Sequence, residues 1–79
     1  MKHSVIVKDP KAHVFFRGTA IEVKSIFGDT IIGFHQITHI YLHQNIDLSV
    51  KQAIQIARKV PLFFIDKRGK IIATVSFAV

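Results

Sequence analysis

The stretch IDLSVKQAIQIARKVPLFFIDKRGK, Ile46 to Lys70, holds a helix, a strand and a turn with almost no chain between them. Ser49-Val50-Lys51-Gln52 has the form of a capping box, in which the hydroxyl bonds the amide three residues on and the glutamine side chain reaches back. Val50, Ala53, Ile54 and Ala57 recur at i, i+3, i+4 and i+7, a narrow apolar stripe that leaves Lys51, Gln52, Gln55 and Arg58 for water. The spacing predicts a helix from about Ser49 to Lys59. Arg58 and Lys59 oppose the negative end of its dipole, and Pro61 stops it. Leu62-Phe63-Phe64-Ile65 is an uninterrupted apolar run of strand length, which predicts a central strand covered on both faces. Asp66-Lys67-Arg68-Gly69 supplies a turn, and the last strand, Lys70 to about Ser76, is expected to return antiparallel to its predecessor.

Upstream, the same reading gives five strands. Ser4 to Val7 is β-rich and is closed by Asp9-Pro10, a turn signal. His13 to Arg17 is aromatic and β-branched, and Gly18 marks a bend before Ala20 to Ile26, where Ile21 and Val23 alternate with Glu22 and Lys24. Gly28-Asp29, between Phe27 and Thr30-Ile31-Ile32, predicts a two-residue hairpin turn centred on the glycine. In FHQITHIYLHQ the anchors are Ile37, Ile40 and Leu42. Ile40 and Leu42 alternate with Tyr41, which suits a strand from about Thr38 to His43 after a short turn at His35-Gln36, although Phe34, Ile37 and Tyr41 also fit a helix. The expected fold is α+β and mainly β: about seven strands in two small antiparallel sheets, with one helix between strands five and six. Residues 1–79 are expected to form a single domain.

At 79 residues with no cysteine, the chain has neither disulfide nor thiolate metal site to staple a small core. A hydrophobic fraction of 49% and mean hydropathy of +0.35 exceed what so short a chain can hide, so self-association or a partner is expected. The net charge of +6 and pI near 10.1 favour acidic partners, DNA or RNA among them. The opening MKHSVIVKDP lacks a signal-peptide run, and no stretch approaches the ~20 apolar residues of a membrane span. A cytoplasmic location is expected, with no membrane partner.

Catalytic constellations are scarce. His35, His39 and His43 fall at four-residue intervals, which on a helix would line one face for a metal. On a strand four residues span ~13 Å, too far for one ion, so no metal site is assigned. Asp9, Asp29 and Asp66 sit in turns and Asp47 approaches the helix, leaving Glu22 alone on a lysine-rich face; no paired-carboxylate acid and base emerges. The serines show no nucleophile elbow and the glycines no phosphate loop. No catalytic residue and no cofactor is assigned. A basic group remains: Lys67, Arg68 and Lys70 in one turn, Arg58 and Lys59 at the end of the helix leading to it. These five are the candidate nucleic-acid contacts.

From about Phe34 to Ala73 the pattern resembles the N-terminal β-domain of the CRISPR spacer-acquisition integrase, a CRISPR-associated endonuclease. The resemblance lies in Ile37 and Ile40 spaced I-x-x-I, the strand pair Tyr41-Leu42, a turn with Asn45, Ser49 opening a helix, the proline-led strand Pro61 to Ile65, and an acidic turn from Asp66 to Gly69. It implies a two-sheet β-domain with one helix that joins protomers into a homodimer and positions DNA beside other CRISPR-associated proteins. It also implies that the metal-dependent nuclease chemistry belongs to a C-terminal helical domain beyond this sequence, so the chain is expected to be a fragment or a short standalone relative. The function it implies is a non-catalytic dimerisation and scaffold module. Two alternatives stand beside it: a standalone small basic nucleic-acid-binding protein, and a minimal metal-dependent nuclease.

Overall fold

A computed structural model describes residues 2–75. Seven strands form two sheets, with one helix between the fifth and sixth strands, as the sequence predicts. The strands are β1 (His3–Val7), β2 (His13–Phe16), β3 (Ala20–Ser25), β4 (Gly28–Gly33), β5 (Ile37–His43), β6 (Leu62–Ile65) and β7 (Ile71–Val75), and the helix is α1 (Val50–Ala57). The three-stranded sheet, order β2-β3-β4, is antiparallel. The four-stranded sheet, order β1-β5-β6-β7, departs from the expected antiparallel pairing and is mixed. There β5 runs parallel to both β1 and β6, and only β7 returns antiparallel. The crossover through α1 makes this possible, since parallel neighbours need a long connection and antiparallel ones only a turn. Ser76, the expected end of the last strand, lies outside the described residues.

One core joins the two sheets and the helix. Val14 and Ile21 from the small sheet meet Ile37, Ile40, Leu42 and Leu62 from the large one, and Ile56, Ala57 and Val60 close the gap. Ile37 and Ile40 are three apart, so strict alternation would send them to opposite faces. The register resolves this: from His3↔Ile37 to Val5↔Ile40, three residues of β5 span two of β1, and both isoleucines end up inside. Just before β5, Phe34–Gln36 forms one 3₁₀ turn, so the short turn expected there is present and the helical alternative is not.

Two local expectations shift. The tip of the β3–β4 hairpin is Ile26-Phe27, with Ser25 paired to Gly28, and not Gly28-Asp29. The positive φ falls on Gly28, at 121°, just after the tip, and Ser25 Oγ donates to Gly28 O at 3.2 Å. The tight turn led by glycine is instead Gly18-Thr19 between β2 and β3, where Gly18 has φ 75° and Arg17 N–H donates to Ala20 O at 2.8 Å. On α1 the buried stripe is rotated from the expected one: Ile56 and Ala57 are buried with Ala53 packed against them, while Val50 is 77% exposed and Ile54 36%.

The expected capping box is half formed. Ser49 Oγ accepts from Gln52 N–H at 3.1 Å, but the Gln52 side chain turns to the neighbouring sheet and its Oε1 accepts from Phe16 N–H at 2.9 Å. Together with the Asp47 bridge to His13, whose Nδ1 lies 3.1 Å from Asp47 Oδ2, this covers the outer edge of β2. Arg58 is the C-cap and Lys59 follows it, so both flank the helix end and neither stands within its last turn.

Candidate functional site

The large sheet buries one face in the core. On its other face His39, Tyr41 and Phe63 form an aromatic row, Tyr41 stacking on Phe63 at 5.0 Å and 17°, with His39 5.9 Å from Phe63. The three rings are half-buried, and His43 and Ile65 further along the same face are buried. The strand β6 is central, as expected; among the described residues Leu62 and Phe64 on one face belong to the core, while on the other Phe63 is half-buried and Ile65 is buried at 3% exposure. Sheet geometry explains the placement: Ile6 pairs with Tyr41, Tyr41 with Phe63 and Ile65 with Ile71, so these side chains share the outer side.

Because β1, β5 and β6 are parallel, their C-terminal ends meet at one rim of the sheet. A groove of about 370 Å³ lies there, lined by Ile6, Lys8, Tyr41, Ile65, Arg68, Gly69 and Ile71. Its floor and walls are apolar and its polar ends are cationic. The turn that carries Arg68 is set by Asp66, whose Oδ1 accepts from Arg68 N–H at 2.8 Å and Lys70 N–H at 3.0 Å. Those amide bonds, Lys70's above all, hold the Asp66 carboxyl below its ordinary value of 3.8 against a smaller opposing effect of desolvation. A carboxyl depressed in the fold stabilises it above the unfolded-state pKa, and that contribution disappears as pH falls through the lower folded value. Asp66→Asn is therefore expected to lower the urea midpoint at neutral pH, with the gap from wild type narrowing below about pH 3.8. A gap that stays constant into strong acid would remove this role.

The five basic residues do not form one surface. Arg58 and Lys59 precede the start of β6, whereas Lys67, Arg68 and Lys70 follow its end, so the strand, ~13 Å for four residues, separates the two groups. The turn group is joined instead by Lys8 at the end of β1, through the groove. Sequence reasoning missed Lys8, because the parallel pairing of β1 with β5 leaves no local signal. On the small sheet, Glu22 is paired: Arg17 Nε and Nη2 donate to Glu22 Oε1 at 2.8 and 2.6 Å. The Phe15 ring lies under both Arg17 and Lys24, at 5.1 and 5.6 Å.

The histidines are dispersed. His35 sits in the 3₁₀ turn, His39 in the outer aromatic row, and His43 is buried at the end of β5, its Nδ1 accepting from Asn45 N–H at 3.1 Å. Among the described residues no three His, Cys, Asp or Glu side chains gather as a metal site would require, and no helix is long and apolar enough to cross a membrane.

No protein-family model matches the sequence, and no curated protein matches it. Solved structures do share its fold. A partial Cas6-RT-Cas1–Cas2 complex superposes with a TM-score of 0.80 at 12% identity, over 99% of this chain and 24% of that one. A Cas1 protein from Thermotoga maritima gives 0.76 at 17% identity, over 94% and 24%. A TtCas1–DNA complex gives 0.64 at 10% identity, over 94% and 26%. The chain therefore has the Cas1-like fold that the sequence resemblance implies, and it spans about a quarter of the length of these chains.

Proposed function

We propose that this chain is a non-catalytic assembly module of Cas1-like fold, a single domain over residues 1–79 that pairs with a second copy and contributes cations to a nucleic-acid contact. The observation that carries the reading is the β3–β4 hairpin: Ile26 and Phe27 at its tip are 81% and 87% exposed, and Ile31, further along β4, is 67% exposed. Burying such a side chain is worth about 1.5–3 kcal/mol. In a two-fold dimer each counts twice, comparable to the roughly 4–15 kcal/mol that association costs. The relatives in fold support the second half, since they include a Cas1 in complex with DNA and one with Cas2. DNA and other CRISPR-associated proteins are accordingly the proposed partners.

Light scattering at micromolar concentration should give a dimer, and Ile26→Asp with Phe27→Asp should give a monomer of unchanged circular dichroism. A monomeric wild type refutes the pairing. For the nucleic-acid contact, neutralising Lys67, Arg68 and Lys70 should reduce the salt slope of binding by about one for each phosphate that is no longer neutralised, and the Arg58 and Lys59 pair should behave as a separate group. Absence of binding at low salt ends that part of the proposal.

A further inference from the structure

We propose that the groove at the rim of the four-stranded sheet docks an extended segment of an acidic partner protein, with an apolar side chain seated on Tyr41 and Ile65 and flanking carboxylates paired to Lys8 and Arg68. The lining explains the apolar half. Ile65 is buried beneath the groove, while Ile6 and Ile71 form walls that stand 56% and 48% exposed, a cost that an apolar side chain between them would remove. A volume of about 370 Å³ lies at the small end of ligand sites, suited to one or two large side chains.

Charge selects the other half. No acidic side chain lines the groove, and among the described residues neither Lys8 nor Arg68 makes a salt bridge. The one carboxylate in the same turn, Asp66, is committed to the amides of Arg68 and Lys70. Lys67 and Lys70 extend the positive field around the rim. Arginine in particular takes a carboxylate through two parallel hydrogen bonds, giving geometry as well as affinity.

A second copy of this chain is a poor occupant, because it brings net charge +6 and few carboxylates to offer. Of its five, Asp9 accepts from Lys11 N–H, Glu22 is held by Arg17, Asp47 by His13 and Asp66 by its own turn, which leaves Asp29 as one isolated carboxylate where the groove asks for two flanking ones. A nucleic-acid base fits less well than a side chain. The walls are aliphatic, and Phe63 already stacks against the Tyr41 ring, which leaves little aromatic surface on which a base could stack.

The test uses the intact chain with three fluorescein-labelled probes: a hexapeptide Asp-Glu-Leu-Phe-Glu-Asp, its Asn/Gln counterpart, and a short oligothymidine. The acidic peptide is expected to bind with Kd on the order of 100 µM or tighter. The neutral peptide, and the acidic peptide with Arg68→Glu, should each bind at least about tenfold more weakly. Amide signals of Ile6, Lys8, Tyr41 and Ile71 should shift in an NMR titration. Ile71→Ser should weaken the peptide and leave oligothymidine binding unchanged, which separates a filled groove from a merely cationic turn. Equal affinity for the two peptides, no peptide binding, or oligothymidine alone shifting the groove signals overturns the proposal. That last result would leave the nucleic-acid reading above standing.

Discussion

Leu62→Ala should leave the chain largely unfolded at room temperature. Leu62 is fully buried at the start of β6, pairs with Ile40 on one side and Val75 on the other, and belongs to the cluster where the two sheets and α1 meet. Truncating such a leucine costs about 2–5 kcal/mol, from the forfeited transfer energy plus the cavity left behind. A core of this size with no disulfide or metal rarely supplies more than about 3–5 kcal/mol in total. The two quantities overlap, so the variant has little stability left. Ile71→Ala is the internal control: it lies on the outer face at 48% exposure, leaves no core cavity, and should cost under about 1 kcal/mol. Urea titrations followed by circular dichroism decide it. A Leu62→Ala protein within about 1 kcal/mol of wild type would mean that this core does not hold the sheets together.

The contrast between these two residues marks where sequence patterning informs and where it stops. Leu62-Phe63-Phe64-Ile65 announces a central strand by its unbroken apolar character, and Ser49 and Pro61 bracket the helix correctly to within the usual fraying of helix ends. The direction in which strands pair is not written in that pattern. Parallel pairing of β1 with β5 joins residues more than thirty apart and uses the same alternation as an antiparallel pair, so the rim that gathers Ile6, Lys8, Tyr41 and Arg68 is invisible until the chain is folded. The helix face is ambiguous for a different reason. Val50, Ala53, Ile54 and Ala57 make one sound stripe, and Ala53, Ile56 and Ala57, continued by Val60 just past the helix end, make another that shares two alanines; the second is the one that packs, with Ile56, Ala57 and Val60 all buried. At the β3–β4 turn, glycine draws the expectation two residues too far along the chain. The apolar tip Ile26-Phe27 violates the rule that turns are polar, and such a departure from a local rule points to a surface with a use.

Gln52 tests the most specific of these corrections. Its side chain spans from α1 to the edge strand β2, accepting the Phe16 amide in a part-buried setting. Gln52→Ala strands that amide, and an unsatisfied buried donor costs about 1–3 kcal/mol. Ser49→Ala removes an exposed cap and should cost about 1 kcal/mol. The pair then discriminates two arrangements. In a closed capping box the two side chains serve one helix terminus jointly, and the double variant should lose less than the sum. In the observed arrangement Ser49 holds the Gln52 backbone amide, which the alanine retains, while the Gln52 side chain serves a different strand, so the losses should add to within about 0.5 kcal/mol. Hydrogen exchange supplies the local readout: the Phe16 amide should exchange faster in Gln52→Ala and stay protected in Ser49→Ala, because only the first variant removes its acceptor. Gln52→Glu keeps an acceptor oxygen at the same reach and should restore protection. If the Phe16 amide exchanges at the wild-type rate in Gln52→Ala, the link between α1 and the small sheet does not exist.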